Sequence, residues 1–205
     1  MGAVEITRKA PIGRPRGFDA DEALDQAMTV FWEQGYEGAS LADLTSAMGI
    51  TRKSMYAAFG NKEELFRKAL ERYTEGPAAY ADRALRKPSA REVATAFLTG
   101  SVMATTQPGC PAGCLGVQGS LAAGDSGRAA QDALIVWRDD GRARLRHRFQ
   151  RAVDEGDLPP GADPELLARY IMTVANGIAV QAAGGATRPE LQRVADAALR
   201  NWPPI

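Results

Sequence analysis

The sequence predicts an all-α protein with a small N-terminal helical domain and a larger C-terminal one, about nine helices in all. Valine, isoleucine and threonine show no period-two alternation, whereas apolar residues recur at helical spacing throughout the chain. Proline and glycine cluster between the helical segments, at 107–113 and 156–164, as loops require. Periodicity and the placement of the helix breakers therefore indicate the same fold class.

Composition and charge narrow the class of protein. The 205 residues are 45% hydrophobic and 24% charged with zero formal net charge, which excludes a disordered polyelectrolyte. Cys110 and Cys114 are too few for a disulfide framework. The uncharged stretches 93–124 and 171–187 are interrupted by proline or glycine, unlike membrane spans, and the N-terminus does not resemble a signal peptide. We therefore expect a soluble, cytoplasmic protein without membrane partners.

The first helix is predicted from a stripe of apolar residues and from its flanking residues. Asp19 or Asp21 suits its N-terminus, and Gly35 suits its C-cap. The stripe has the spacing i, i+3, i+4 and i+7 of one helical face: Leu24, Ala27, Met28 and Phe31.

Two short helices joined by a tight turn follow. Ser40 is a suitable N-cap for the first, Gly49 suits the turn because glycine adopts positive φ readily, and Thr51 suits the N-terminus of the second, which runs to about Phe59. A fourth helix begins at Lys62. This pattern is typical of a helix-turn-helix, whose second helix presents its first turn to the DNA major groove.

The charges of this region are placed as DNA binding requires, although their sum is not basic. Residues 1–75 hold ten basic and twelve acidic residues, a net of −2. The basic residues lie in the N-terminal arm, at Arg52 and Lys53, and at Lys62, whereas acidic residues cluster on the first helix. A basic face on a nearly neutral domain is sufficient for contacts to phosphate.

These residues resemble the DNA-binding domain of the TetR family of transcriptional regulators over about residues 18–66. The resemblance lies in Phe31, Gly35-Tyr36, Ser40-Leu41, the run AMGI at 47–50 and the run RKSMYAAFGNKEELF at 52–66. Many relatives carry His-Tyr or His-His where this chain has Ala57-Ala58, so it resembles an Ala-Ala subgroup, and no contact carries over to Ala57. The resemblance implies DNA contacts for seven residues: Ser40, Thr51, Arg52, Lys53, Ser54, Tyr56 and Lys62.

The N-terminal arm carries a second candidate DNA contact. Residues 13–17, Gly-Arg-Pro-Arg-Gly, resemble the core of an AT-hook, in which proline keeps the chain extended. Arg14 and Arg16 would then lie in a narrow minor groove. The alternative is a basic tail without a defined contact.

The C-terminal half is predicted to fold into helices near 89–106, 114–124, 127–155, 163–183 and 188–201. The helical pattern loosens around 76–77 and 87–88. We predict three segments: a flexible basic arm at 1–17, the helix-turn-helix domain at 18–62, and an effector-binding and dimerisation domain at 63–205.

The last two predicted helices carry a wider apolar surface than one core needs, which favours self-association. A homodimer would place two recognition helices on half-sites about 34–36 Å apart in a near-palindromic operator. The alternative is that these residues complete the core of a monomer. The predicted interface residues are Val174, Gly177, Ile178, Ala182, Leu191, Val194 and Ala198.

The resemblance implies that the larger domain also binds an unidentified small-molecule effector, which would shift the fourth helix and release the DNA. No cofactor or metal site is predicted, because two thiols and the distant His147 do not complete a zinc site. Ordinary core packing is the alternative for each candidate lining residue. The candidates are Phe97, Met103, Cys110, Cys114, Trp137, Phe149, Tyr170 and Asn176.

Two alternatives keep this fold and change the response. A cysteine at a helix N-terminus can have a lowered pKa and react with oxidants or electrophiles, so Cys110 and Cys114 are candidate sensors as well as candidate packing residues. The second alternative is an architectural or activating DNA-binding protein that responds to no ligand. An enzyme is disfavoured, because no histidine or acid forms a recognisable pattern with the cysteines.

Overall fold

The computed structural model describes residues 17–119, 124–200 and 202–203, and this part of the chain is all-helical. Two short 3₁₀ turns, Pro77–Ala79 and Asp125–Gly127, accompany ten α-helices. The predicted fold class is confirmed. The helices are α1 Ala20–Gly38, α2 Leu41–Ala47, α3 Arg52–Phe59, α4 Lys62–Glu75, α5 Tyr80–Leu85, α6 Ala90–Thr105, α7 Leu115–Gln118, α8 Arg128–Asp154, α9 Pro164–Ala183 and α10 Arg188–Arg200.

Helix α1 begins as predicted and ends later than predicted. The Asp19 side chain accepts hydrogen bonds from the backbone N–H groups of Asp21 and Glu22, which otherwise have no partner in the first turn. Gly35 has φ +69°, so it interrupts α1 with a kink instead of ending it, and helical residues continue to Gly38. Only glycine adopts this conformation without strain.

The capping residues of α2 and α3 are those expected from the sequence. Ser40 forms a capping box with Asp43, and Thr51 Oγ1 accepts a hydrogen bond from the backbone N–H of Ser54 at 3.1 Å. Gly49 between the two helices has φ +65°, the positive value that the turn requires. This part of the chain has the helix-turn-helix form.

Helices α1 and α4 pack through buried aromatic side chains. The ring of Phe66 lies 5.1 Å from that of Phe31 and 5.3 Å from that of Tyr36, and the rings of Trp32 and Tyr73 lie 4.9 Å apart, all between centroids. This core continues into α7 and α8 through buried leucines. Packing therefore does not follow the predicted division after residue 62, because α4 belongs to the same core as α1.

A second core lies between α6, α8, α9 and α10. Helix α9 is the one helix among the described residues that is long and apolar enough to cross a membrane, by length and composition alone. Its buried side, which includes Ile171 and Ile178, packs in this second core.

Two C-terminal elements differ from the prediction. The sequence around 76–88 forms a 3₁₀ turn and α5, which was missed because it is six residues long and its N-cap makes no side-chain hydrogen bond. Helix α7 spans only Leu115–Gln118 of the predicted 114–124, and residues 120–123 lie outside the described residues.

The predicted dimer surface divides into two sets. Ile178, Ala182 and Leu191 are buried in the chain's own second core, so they are not available to a partner. The prediction merged the two sides of each helix, because small and apolar residues occur on both. Gly177 is exposed, Val194 is 51% exposed, and Val174 and Ala198 are half-buried. Two exposed residues absent from the predicted set, Leu166 and Val180, lie on the outer side of α9.

Candidate nucleic-acid interface and effector cavity

Helix α3 buries one face and leaves the other exposed. Met55 and Phe59 are buried in the first core, while Arg52 and Lys53 are exposed and Tyr56 is 49% exposed. Neither cation forms an ion pair within the described ranges. Two cations and an aromatic hydroxyl on an exposed helix face can contact both phosphates and base edges.

The three small hydroxyl residues of the predicted contact set, Ser40, Thr51 and Ser54, cap or brace helices. The Ser40 hydroxyl donates a hydrogen bond to Asp43 Oδ2 at 2.6 Å, and this bond is the first of the causes that lower the pKa of Asp43. Thr51 and Ser54 face each other, with 3.0 Å between their hydroxyl oxygens. These residues therefore hold the first turns of α2 and α3 in place, whether or not they also contact DNA.

Lys62 is held by an aromatic ring at the start of α4. Its Nζ lies 4.4 Å from the ring centroid of Tyr36, which is itself buried against Phe31 and Phe66. Burial lowers the pKa of Lys62, while the charge of Glu37 acts in the opposite direction. The ammonium group is thus oriented before any DNA binds.

The first described residues, Gly17 and Phe18, lie beside α3. The Phe18 ring lies 6.4 Å from that of Phe59, and Gly17 and Phe18 border a surface groove together with Thr51 and Ser54. The predicted minor-groove residues Arg14 and Arg16 lie outside the described residues.

A small cavity of about 100 Å³ lies between the C-terminal end of α4 and the second core. Four of the predicted effector residues line it: Phe97, Cys114, Trp137 and Asn176. The prediction missed the polar lining residues Thr74, Tyr80 and Ser101 and the charged lining residues Asp82, Asp140 and Arg144. Ser101 was detectable, because it is a polar residue on the apolar face of α6. Most of the remaining lining is apolar, so the cavity suits a mainly apolar molecule.

The other four predicted effector residues lie elsewhere. Phe149 and Tyr170 pack around Trp202 in the second core, with centroid distances of 5.3 and 6.3 Å. Met103 is 49% exposed and borders a separate outer groove. Cys110 is half-buried against the first core. Aromatic and sulfur side chains fill cores as readily as cavities, so residue type alone did not separate them.

Cys114 is buried and lines the cavity. Its burial agrees with the packing alternative, and because burial raises the pKa of its thiol, the lowered pKa of the sensor alternative is not found at Cys114. Hydrogen bonds to Tyr73 and to backbone groups of α7 act in the opposite direction without overcoming it. Helix α7, which Cys114 precedes, is only four residues long and contributes little dipole.

Hydrogen bonds connect the helices that carry the two candidate sites. Trp137 Nε1 donates to Thr74 Oγ1 at 2.8 Å, which links the cavity wall on α8 to α4. The backbone N–H of Tyr36 donates to the carbonyl oxygen of Gly119 at 3.1 Å, which links α1 to the end of α7. Lys62 lies on α4 and packs on Tyr36 of α1, so these two bonds connect the helices around Lys62 to α8 and to the end of α7.

Comparison with known proteins decides the family. Residues 23–69 match the model of bacterial regulatory proteins of the tetR family, and residues 94–198 match the tetracyclin repressor-like C-terminal domain. The chain belongs to the TetR family. The HTH-type transcriptional repressor ComR of Escherichia coli is 34% identical to this TetR-family chain over 94% of it and 93% of ComR.

Solved structures of TetR-family regulators agree. The regulator CifR was solved with cysteine substitutions and in complex with 26-base-pair operator DNA. It is 44% identical to this chain, and the match covers 93% of this chain and all of the CifR chain, with a TM-score of 0.89. A TetR regulator from a Rhodococcus species is 43% identical over 89% of this chain and 97% of its own, with a TM-score of 0.60.

Proposed function

We propose that this TetR-family protein is a transcriptional repressor that binds a near-palindromic operator as a homodimer and releases it when a small molecule enters the cavity. The observation that carries the proposal is the exposed face of α3, where Arg52, Lys53 and Tyr56 stand on a helix fixed by its buried side. The relatives support it, because ComR is named a repressor and CifR is solved on operator DNA. No catalytic role and no cofactor form part of the proposal.

The homodimer would use the exposed side of α9 and α10. Leu166, Val180 and Val194 are each more than half exposed, and Gly177 between them allows close approach of a partner helix. Two such chains would present two copies of α3 to successive major grooves, about 34–36 Å apart. Operator DNA of 26 base pairs, as in the CifR complex, is long enough for two such half-sites.

The effector would be small. The cavity of about 100 Å³ is of the order of the roughly 150 Å³ cavity that holds a benzene molecule, and well below the 300 to 1,000 Å³, roughly, of drug-sized ligand sites. A ligand against Trp137 and Thr74 would move α4, the helix whose first residue is Lys62. The ligand causes release only if it binds the DNA-incompetent arrangement more tightly than the other.

A second candidate response is alkylation of Cys114 by an electrophile. The observation that favours it is the position of the thiol in the cavity wall, where an entering electrophile would contact it. Because burial raises the pKa of this thiol, we expect reaction only with molecules that enter the cavity and not with bulk oxidants. A Cys114→Ser variant would then retain operator binding and lose release by electrophiles.

Fluorescence anisotropy with the DNA upstream of the protein's own gene tests the proposal. The wild type should bind this DNA at nanomolar concentration and scrambled DNA at least a hundredfold more weakly. Arg52→Ala should lose most of this affinity, whereas Arg128→Ala, an exposed arginine on α8, should not. Equal affinity for both DNAs would contradict a specific regulator, and binding unaffected by every small molecule tried would favour the ligand-independent alternative.

A further inference from the structure

A basic pocket adjoins the effector cavity on the C-terminal half of α8. Its volume is about 480 Å³. Its lining holds three arginines and a histidine, Arg144, His147, Arg148 and Arg151, against one carboxylate, Asp140. Asp82 and Glu155, which lie outside the lining, pair with Arg144 and Arg151. Among the lining residues themselves the three arginines outnumber the single carboxylate, and this excess of positive charge attracts an anion.

Arg148 gives this pocket a charge that the described residues satisfy only in part. Its side chain is almost fully buried, with 5% of the residue exposed. Nη2 donates to the carbonyl oxygens of Lys87 and Pro88 at 2.9 and 2.8 Å, but Nε and Nη1 are buried with no hydrogen-bond partner in the described ranges. Burial and then the nearby charge of Arg151 lower the pKa of Arg148. A desolvated guanidinium with free donors is stabilised by an anion nearby.

A surface ion pair lies at the boundary between the pocket and the cavity. Leu85, Asp140 and Arg144 line both spaces. Arg144 Nη2 lies 2.6 Å from Asp82 Oδ1, and their side chains are 42% and 47% exposed. An exposed ion pair contributes little stability, so another anion can take the place of Asp82.

We propose that the effector is a small amphipathic carboxylate, with its apolar body in the cavity and its carboxylate in the basic pocket on Arg144. The proposal deepens the repressor function and rests on it. The apolar lining of the cavity, which includes Phe97, Trp137 and Met172, fits an aliphatic chain or a single ring. A carboxylate matches Arg144 because the guanidinium already binds a carboxylate, that of Asp82, and can do so through two parallel hydrogen bonds.

The exchange of partners by Arg144 also supplies a reason for release. The Asp82–Arg144 pair joins α5 to α8, and α5 follows α4 with only one 3₁₀ turn between them. When the effector binds Arg144, α5 loses this contact to α8, and α4 can move with it.

Isothermal titration calorimetry on the full-length protein tests the ligand class without DNA. The probes are hexanoate, hexanamide and acetate at constant ionic strength. Hexanoate should bind at least tenfold more tightly than hexanamide, and acetate should bind at least tenfold more weakly than hexanoate. In Arg144→Gln the preference for the acid should fall to within twofold, whereas Arg128→Gln, the same change on the same helix, should retain it.

An Asp82→Asn variant should change the affinity for hexanoate in the direction opposite to Arg144→Gln. It removes the carboxylate that competes for Arg144, so hexanoate should bind severalfold more tightly than it does to the wild type. Equal binding of acid and amide, equal binding of acetate and hexanoate, or weaker hexanoate binding in Asp82→Asn would each overturn the proposal. Operator binding by the ligand-free protein, measured in parallel, separates this outcome from failure of the repressor function itself.

Discussion

Replacement of Lys62 by alanine should weaken operator binding through a loss of charge, and the salt dependence of binding measures that loss. The ammonium group sits over the Tyr36 ring at 4.4 Å and is half-buried at the start of α4. A cation held in this way contacts a phosphate without first losing side-chain freedom. Lys62→Ala should therefore weaken binding to operator and random DNA alike.

The size of the effect follows from the number of phosphates neutralised. Each phosphate contact contributes about 0.9 to the slope of log K against log salt concentration, so one contact in each chain of a dimer contributes about 1.8. Between about 50 and 200 mM salt, a fourfold change, the wild type should lose roughly twelvefold more affinity than Lys62→Ala.

Fluorescence anisotropy with labelled upstream DNA at four KCl concentrations gives both slopes. Lys87→Ala, which removes an exposed lysine from the loop between α5 and α6, is the matched control and should keep the wild-type slope. An unchanged slope for Lys62→Ala, or the same reduction in both variants, would refute a phosphate contact at Lys62.

Three further substitutions test other parts of the site. Thr51→Ala removes the cap of α3 and should lower the free energy of unfolding, measured by chemical denaturation, by about 1 kcal/mol. Ser89→Ala, which removes the cap of α6, should lower it by a similar amount but leave operator affinity intact. An equal loss of operator affinity in Thr51→Ala and Ser89→Ala would exclude a DNA contact for Thr51. Lys53→Ala should relax discrimination at one base pair by about 1–3 kcal/mol while changing affinity for random DNA less; equal losses on operator and random DNA in competition titrations would refute base readout. Gly35→Ala places a side chain at φ +69° and should destabilise the fold by about 1–2 kcal/mol, whereas Gly17→Ala, with open space around it, should have no effect in thermal unfolding.

The N-terminal half was predictable because its signals are local. The capping side chains of Asp19, Ser40 and Thr51 accept hydrogen bonds from backbone groups two or three residues away. The start of each helix can therefore be identified from the few residues around it. Gly49 likewise marks its own turn. The family resemblance over these helices was confirmed for the same reason, because spacing and residue type are fixed within one short segment.

The larger domain was harder to predict because its sites depend on distant packing. Nothing local separates Trp137, which lines the cavity, from Phe149, which packs against Trp202. The apolar faces of α9 and α10 could not be divided between core and surface until α6 and α8 were placed against them. The raised pKa of Cys114 follows from burial among residues from several helices, whereas the sequence shows only its place before a helix.

The aromatic contacts that run from Trp32 through Tyr73 to Trp137 make the DNA-binding head inseparable from the rest of the protein. A fragment that ended after α4 would turn the faces that now meet Leu115 and Leu134 toward water. A fusion of α1 to α4 to another dimerisation domain should therefore also include α7 and the first half of α8. An exchange of effector domains would accordingly have to preserve the contacts of α1 and α4 with α7 and α8. The junction of any chimera should therefore lie after Trp137.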